Sequence, residues 1–151
     1  MKNKKDFLSI TDLSSKAIWE IIVMAKKLKK EFNQTGTTQE SLKNKSLIMI
    51  FEKPSLRTRL SFEVGMIRLG GHAVYLGPSD IRMGVRESVS DITKVVSSMG
   101  EVIMARTFKH QTVEELARSS KVPVINGLSD LEHPCQALAD FMTISEIKGK
   151  L

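Results

Sequence analysis

The first residues that could do chemistry are the hydroxyl and guanidinium side chains of Ser55, Arg57 and Thr58. They follow an apolar run that ends at Phe51 and a helix-breaking Pro54, so they lie where a strand passes into a helix. Free backbone N–H groups and the positive end of the helix dipole favour an anion there, and these side chains add donors suited to phosphate oxygens. The alternative is a helix start capped by Ser55, with its arginines in solvent. The glycines and lysine of the nucleotide-hydrolase phosphate loop are missing.

Two further arginines have different predicted roles. Arg106 ends an apolar run and would project over the same sheet edge as Arg57, so that two cations could meet one anion. Taken alone, an arginine at a strand end is more often ordinary surface. Arg59 stands four residues before Glu63, which is the spacing of an ion pair on a helix surface.

A third candidate segment, His133, Pro134, Cys135 and Gln136, stands at an expected helix start, where Pro134 suits the first turn. His133 could donate a hydrogen bond to a carbonyl oxygen as charge develops on it, and Gln136 offers an acceptor and donors. The alternative is a histidine that only caps the helix. Cys135 is not expected to be a nucleophile, because no acid–histidine pair is implied and free cysteines are commonly buried. The histidines and Cys135 show no metal-ligand spacing.

An alternation of helices and strands must position these groups. A helical spacing of apolar residues runs from Ile18 to Phe32, and Ser14 or Ser15 can cap it. The loop at 130–136 should end at the start of a last helix, which reaches about Ile147. Between them the pattern predicts strands at Ser46–Phe51, His72–Leu76, 101–105 and 122–126, and helices at 57–69, 88–99 and 112–119.

This order predicts an α/β domain of three layers, with a four-stranded parallel sheet flanked by helices. Ligands of open parallel α/β sheets bind beyond the carboxyl ends of the strands. The segments there are 52–58, 77–87, 106–110 and 127–136, so the anion-binding candidates and His133 should share one edge of the sheet.

Composition and charge narrow the function classes. The chain has 151 residues, 41% hydrophobic and 26% charged, which suits one folded domain and argues against disorder. Its longest apolar run, 47–51, predicts neither a transmembrane helix nor a secretory signal. The single cysteine fits a reducing, cytoplasmic location.

The net charge of +6 suggests a nucleic-acid partner at first sight. However, residues 1–30 hold eight lysines against three acidic residues, whereas the rest of the chain is nearly balanced. The excess centres on Lys26, Lys27, Lys29 and Lys30, which are more simply the solvated face of a helix. No aromatic platform for bases accompanies them, so nucleic-acid binding is the less favoured hypothesis.

Two motifs resemble the amino-terminal half of the aspartate/ornithine transcarbamoylase family. Residues 55–59 (Ser-Leu-Arg-Thr-Arg), followed by Ser-Phe-Glu at 61–63, are similar to its carbamoyl-phosphate signature. Residues 133–136 (His-Pro-Cys-Gln), followed by Ala-Leu-Ala-Asp, are similar to its second signature. The resemblance extends over nearly the whole chain.

Within the family the ornithine branch is the better match. Segments 104–106, 124–128 and 133–143 resemble ornithine enzymes. The aspartate enzymes usually place a serine and a lysine in the second loop, and the loop at 77–87 has no lysine. Enzymes for putrescine, acetylornithine or aspartate stay open as alternatives, since the amine-binding half of the family is not matched here.

The resemblance implies a phosphate site. Ser55, Arg57 and Thr58, with the backbone of Leu56, would hold the phosphate of carbamoyl phosphate. Arg106 would bind the same dianion and its bridging oxygen. The family often has threonine where Leu56 stands, but a position that contributes mainly its backbone N–H tolerates this change.

The resemblance also implies the chemistry. His133 would polarise the carbamoyl oxygen, while Gln136 and backbone groups around Pro134 and Cys135 would fix the carbamoyl amide. The δ-amine of ornithine would attack the carbonyl, giving citrulline and phosphate in arginine metabolism, and Arg57, Arg106 and His133 would stabilise the charge that develops. No metal or organic cofactor is implied.

One departure concerns Arg82, where ornithine enzymes usually carry a glutamine supplied by a neighbouring subunit of a homotrimer. An arginine there could reach phosphate, or it could be a surface residue. The family chain is about twice as long, so residues 1–151 are expected to be the carbamoyl-phosphate-binding domain, inactive without an ornithine-binding domain. A stand-alone assembly or regulatory module is a further hypothesis.

Overall fold

The computed structural model describes residues 5–81 and 87–149. The described part of the chain alternates helices with strands after a short 3-10 helix at Ile10–Asp12. The elements are α1 (Ser15–Thr35), β1 (Ser46–Phe51), α2 (Leu56–Arg68), β2 (His72–Leu76), α3 (Val89–Val96), β3 (Val102–Arg106), α4 (His110–Ser119), β4 (Val124–Leu128) and α5 (Pro134–Lys148).

The four strands form one parallel sheet in the order β2-β1-β3-β4, which confirms the predicted fold class. β1 pairs with β3 as far as Phe51, which lies opposite Arg106. β3 pairs with β4 as far as Arg106, which lies opposite Leu128. The carboxyl ends of β1, β3 and β4 therefore meet at one edge, where the starts of α2 and α5 also lie.

The sheet is buried on both faces, as the continuous apolar run of β1 predicts. On one face Met49 and Phe51 are fully buried and pack with Phe62 of α2. On the other face Ile50 packs with Leu116 of α4. Helices thus cover both sides of the sheet and fix the edge that carries the candidate residues.

The helix ends follow the predicted signals. The Ser14 hydroxyl accepts a hydrogen bond from the Ala17 N–H, so Ser14 caps α1. Gly70 follows the end of α2 and has a φ of 81°, a left-handed conformation that glycine adopts without a Cβ clash and that ends the helix. Pro134 occupies the first turn of α5, where its missing N–H costs no helical hydrogen bond.

Several predicted boundaries are wrong by one to three residues, and two of them have a clear physical reason. The last strand begins at Val124 and not at 122, because Pro123 has no N–H to donate to the neighbouring strand. The Pro123 carbonyl still accepts a hydrogen bond from the Ile103 N–H. The helix predicted at 88–99 ends at Val96. Its last predicted residues form a turn in which the hydroxyl of Ser98 donates to the carbonyl of Val95.

The amino-terminal segment has a structure that no periodicity predicted. Residues 5–13, the amino-terminal strap, run beside β4, and Phe7 forms a parallel bridge with Ile125. Phe7 N–H donates to the Val124 carbonyl, and Asn126 N–H donates to the Phe7 carbonyl, each over 2.8 Å. Ile10 N–H donates to Glu132 Oε2 over 3.1 Å. The strap is therefore fastened to the strand and loop that lead into α5.

The lysines of α1 lie mostly in solvent, as predicted. Lys27, Lys29 and Lys30 are exposed, and Lys29 forms an ion pair with Glu146 of α5 over 2.8 Å. The helices of the described residues are all too short or too polar to cross a membrane.

Candidate functional site

Seven of the ten predicted site residues line one cavity at the carboxyl edge of the sheet. Its volume is about 650 Å³, and it lies between the starts of α2 and α5 beside the ends of β3 and β4. The side chains that line it are Ser55, Arg57, Thr58, Ser61, Phe62, Arg106, Leu128, His133, Cys135, Gln136 and Ala139. Within this lining set two residues are arginines and none is acidic, so the cavity is electropositive.

The start of α2 presents donors, and its serine does not cap it. Ser55 occupies the N-cap position with an extended backbone, but its side chain makes no capping hydrogen bond. The alternative of a Ser55-capped helix is therefore wrong. The first turn of α2 also has no acidic residue to offset the dipole, while Thr58 is buried and Arg57 is exposed. This helix end can accept an anion from solvent.

Arg106 joins β3 to α2. Its Nη1 donates to the Thr58 hydroxyl oxygen over 3.1 Å, and its buried Nε has no partner among the described residues. Burial lowers the pKa of Arg106 and the nearby Arg57 charge lowers it further. An arginine stays protonated, so Arg106 is a partly desolvated cation that lies beside a second cation, Arg57. An anion bound between them would stabilise both charges.

His133 stands at the N-cap position of α5, yet its side chain makes no capping hydrogen bond. The interpretation of His133 as only a cap is therefore wrong. Its buried Nδ1 has no partner in the described part of the chain. Burial first, and then the charge of Arg106, lower the pKa of His133, although Asp140 opposes them. His133 is therefore neutral near pH 7 and keeps one N–H donor and one acceptor.

Cys135 and Gln136 differ in what they can offer. The Cys135 thiol donates to the Asn126 carbonyl over 3.5 Å, and burial raises its pKa to about 11. It is therefore a thiol near pH 7 and a poor nucleophile, as expected. Gln136 Nε2 donates to Asp140 Oδ1 over 2.9 Å, which orients the amide beside the cavity.

The other expected residues fall outside the lining. Leu56 is exposed and Pro134 is buried, and neither side chain contributes to the cavity wall, so a backbone role for both stays a prediction. Arg82 lies outside the described residues. Arg59 pairs with Glu63 over 2.9 Å, as the helical spacing predicted.

Four lining residues were missed. Ser61 and Ala139 each stand three residues beyond a predicted site residue on the same helix, so the helical repeat could have found them. Phe62 belongs to the matched Ser-Phe-Glu motif and packs in the core beside the cavity. Leu128 gave no signal, because a bulge in β4 breaks the alternation of the strand.

Residues 5–146 match the family model described as the aspartate/ornithine carbamoyltransferase, carbamoyl-P binding domain. This match covers nearly the whole chain. The chain belongs to the aspartate/ornithine carbamoyltransferase family. The two segments that resembled the family signatures line the cavity together with Arg106 and Leu128. No group of His, Cys, Asp and Glu in residues 5–81 and 87–149 could hold a metal ion.

Ornithine carbamoyltransferases are among the most similar members of the family. That of Methanosarcina mazei is 54% identical over 97% of this chain and 48% of its own length, and that of Anoxybacillus flavithermus is 52% identical over 97% and 46%. The solved ornithine carbamoyltransferase of Pyrococcus furiosus is 49% identical, with a TM-score of 0.92, over 96% of this chain and 46% of that one.

An aspartate member of the family is more distant. The catalytic subunit of M. jannaschii aspartate transcarbamoylase is 32% identical, with a TM-score of 0.88, over 97% of this chain and 48% of its own. The fold is therefore common to both branches, whereas the sequence is nearer the ornithine branch. The chain spans about half the length of the curated relatives it matches.

Proposed function

We propose that this chain is the carbamoyl-phosphate-binding half of an ornithine carbamoyltransferase. The observation that carries the proposal is the shared cavity of Arg57, Arg106 and His133. Arg106 and His133 each keep a buried nitrogen without a partner in the described part of the chain. Buried polar groups are normally hydrogen-bonded, so these atoms point to a polar ligand.

The phosphate group fits the α2 side of the cavity. Backbone N–H groups at the start of α2, with the hydroxyls of Ser55 and Thr58, provide donors for its oxygens. Arg57 and Arg106 provide two charges for a dianion, and binding would offset the burial and the Arg57 charge that lower the pKa of Arg106. The backbone of Leu56 would contribute to the same site.

The carbamoyl group fits the α5 side. A neutral His133 can donate to the carbamoyl oxygen, and Gln136 with backbone groups at Pro134 and Cys135 can bind the amide. The amine of ornithine would form a C–N bond at the carbonyl carbon and lose a proton, and the resulting oxyanion would collapse to break the C–O bond to phosphate. Arg57, Arg106 and His133 would stabilise this charge, and the products are citrulline and phosphate.

The remaining functional assignments are parts of the same proposal. Residues 1–151 would form one domain, and a second domain would bind ornithine, so this chain alone would be inactive. The assembled enzyme would be a cytoplasmic homotrimer in arginine metabolism, with Arg82 near the phosphate of a neighbouring subunit. A panel of ornithine, putrescine, acetylornithine and aspartate, tested on a protein that carries both domains, would distinguish the amine substrate.

The binding proposal is tested by thermal shift with carbamoyl phosphate and with inorganic phosphate. Each should raise the melting temperature, and the double variant Arg57→Ala plus Arg106→Ala should abolish the rise. Arg118→Ala is the matched control, since Arg118 is an exposed arginine of α4 that does not line the cavity. An equal rise in the double variant would refute the site.

The hypothesis of a nucleic-acid-binding module makes a different prediction. It requires micromolar or tighter binding of duplex DNA at physiological salt, and this binding should weaken when the lysines of α1 are replaced. Binding of phosphate without binding of DNA would favour the enzyme domain.

A further inference from the structure

The side chain of Asn126 connects the amino-terminal strap to the loop that follows β4. It is fully buried, and its Nδ2 donates to the Leu8 carbonyl over 2.9 Å. Its Oδ1 accepts from the Leu128 N–H over 3.0 Å, and Nδ2 also lies 3.4 Å from the Glu132 carbonyl oxygen. One amide thus contacts three separate pieces of backbone.

The contact with Leu128 holds an irregular strand end. The register passes from Ala105 opposite Asn126 to Arg106 opposite Leu128, so Gly127 is an extra residue in β4. Leu128 has a φ of 155°, outside the range that strands normally adopt. A side-chain acceptor for the N–H two residues ahead is the arrangement by which asparagine stabilises a turn.

This bulge sets the position of Arg106. The Leu128 carbonyl accepts from the Thr107 N–H over 3.0 Å, immediately after Arg106 in β3. Bulges re-aim side chains beside functional sites. Here the bulge places Leu128 in the cavity wall directly across from Arg106.

The same asparagine reaches the start of α5. Its backbone carbonyl accepts from the Cys135 thiol, and its side-chain amide lies beside Ser129 and Glu132 in the loop before His133. Ser129 N–H donates to the Glu132 carbonyl over 3.1 Å, which closes that loop on itself. The side chain of Asn126 therefore contacts both Leu128 and the 129–132 loop that leads to His133.

We propose that Asn126 is a positioning residue of the anion site, which sets Arg106 through the β4 bulge and His133 through the 129–132 loop. The inference rests on the proposed function, because that function assigns Arg106 and His133 to carbamoyl phosphate. Asn126 itself does not line the cavity. Its effect on a ligand must act through the two residues that do.

A matched set of variants separates positioning from stability. Asn126→Ala removes every side-chain contact, whereas Asn126→Asp keeps an acceptor for Leu128 N–H and loses the donors. Thr93→Val is the control, because Thr93 is also fully buried but bonds only within α3, where its hydroxyl donates to the Val89 carbonyl. The readouts are the phosphate dissociation constant by calorimetry, at a temperature where each variant is folded, and the pKa of His133 by NMR.

Asn126→Ala should weaken phosphate binding at least about tenfold and move the pKa of His133 toward its ordinary value of about 6.5. Asn126→Asp should give an intermediate affinity, and Thr93→Val should stay within about twofold of the unsubstituted chain. If Asn126→Ala leaves both the affinity and the His133 pKa unchanged, or if Thr93→Val weakens phosphate equally, the proposal is overturned.

Two outcomes need separate treatment. If Asn126→Ala does not fold, the phosphate affinity of Asn126→Asp replaces it as the readout, because this variant loses the donors to the Leu8 and Glu132 carbonyls and should bind phosphate more weakly. An Asn126→Asp affinity equal to that of the unsubstituted chain would overturn the proposal. If the unsubstituted chain binds no phosphate, the proposed function fails, while the His133 pKa in Asn126→Ala still decides whether Asn126 positions that histidine.

Discussion

The Nη1 of Arg106 lies 3.1 Å from the hydroxyl oxygen of Thr58, so the end of β3 and the first turn of α2 are joined across the candidate site. The two residues are 48 positions apart in the sequence. Their contact orients a guanidinium whose Nε is buried without a partner in the described part of the chain. The hydroxyl therefore helps to hold a cation ready for a ligand.

Thr58→Val tests this hydroxyl, because valine has nearly the same shape but can neither accept from Arg106 nor donate to a phosphate oxygen. A hydrogen bond to a charged group contributes about 1.5–3 kcal/mol, so phosphate binding should weaken about tenfold or more. Calorimetric titration with phosphate measures the loss. Thr143→Val is the matched control, since that hydroxyl donates to the Ala139 carbonyl on the exposed side of α5. Equal affinities for Thr58→Val and the unsubstituted chain would contradict the role of the hydroxyl.

His133 should make the fold sensitive to acid. Its pKa is lowered in the folded chain by burial and by Arg106, so the unfolded chain takes up the proton first as pH falls. The unfolded state then binds more protons, and stability decreases from about pH 6.5 downward until the folded pKa is reached. Above that range His133 contributes no pH dependence.

The variant His133→Asn should therefore lose less melting temperature than the unsubstituted chain between pH 7.5 and pH 5. His72 and His110 remain in both proteins, so the difference between the two curves isolates His133. Parallel curves would show that the folded chain accepts the proton on His133 as readily as the unfolded chain does.

Asp140 should affect the pKa of the same histidine, His133. Its charge raises the pKa of His133 against the effects of burial and Arg106, and its Oδ1 accepts from Gln136 Nε2. Asp140→Asn removes the charge and should lower the pKa of His133 further, as read by NMR titration of the imidazole. Glu146→Gln, which removes a charge from the far end of α5, should leave that pKa unchanged. A rise in Asp140→Asn would contradict the assigned electrostatics.

The sequence predicted the parts of this site that follow a regular period or end an element. Ser55, Arg57 and Thr58 stand at a helix start, and Arg106 at a strand end, and the structure brings them together. The apolar strands and the four strand–helix units were likewise readable, because burial on both faces of a parallel sheet leaves continuous apolar runs.

The parts that were missed depend on contacts between distant segments. The strap has no apolar period and is ordered by hydrogen bonds from Phe7 to β4. Leu128 enters the cavity wall through a bulge, which shifts the strand by one residue relative to any alternating pattern. The partners that fix these features, Leu8 and Asn126, are 118 residues apart.

Cys135 should react slowly with alkylating reagents. Burial raises its pKa to about 11, and only the thiolate is nucleophilic, so its thiolate fraction at pH 7.5 is about a hundredfold below that of a thiol with a pKa of 9. Mass spectrometry after iodoacetamide treatment measures the rate, and the unfolded chain in urea gives the reference. Since Cys135 lines the cavity, phosphate should slow the reaction further in the folded chain. Equal rates in folded and unfolded chain would contradict the burial.

Gly127 and Gly65 should respond in opposite ways to alanine. A Cβ on Gly127 would lie 2.5 Å from Met104 Sδ and 3.3 Å from the Ala105 carbonyl oxygen, so Gly127→Ala must displace the core or the bulge. Overpacking of this kind costs about 1–3 kcal/mol. A Cβ on Gly65, within α2, meets no atom within 4 Å, so Gly65→Ala should stabilise the chain by up to about 1 kcal/mol through helix propensity.

Urea unfolding of both variants measures these free energies. Because the bulge sets Arg106 opposite Leu128, Gly127→Ala should also weaken phosphate binding, whereas Gly65→Ala should not. If Gly127→Ala is as stable as the unsubstituted chain and binds phosphate equally, the bulge is not held by close packing on Met104. If Gly127→Ala instead lowers the free energy of phosphate binding by more than it lowers the free energy of unfolding, the backbone of β4 positions the anion site.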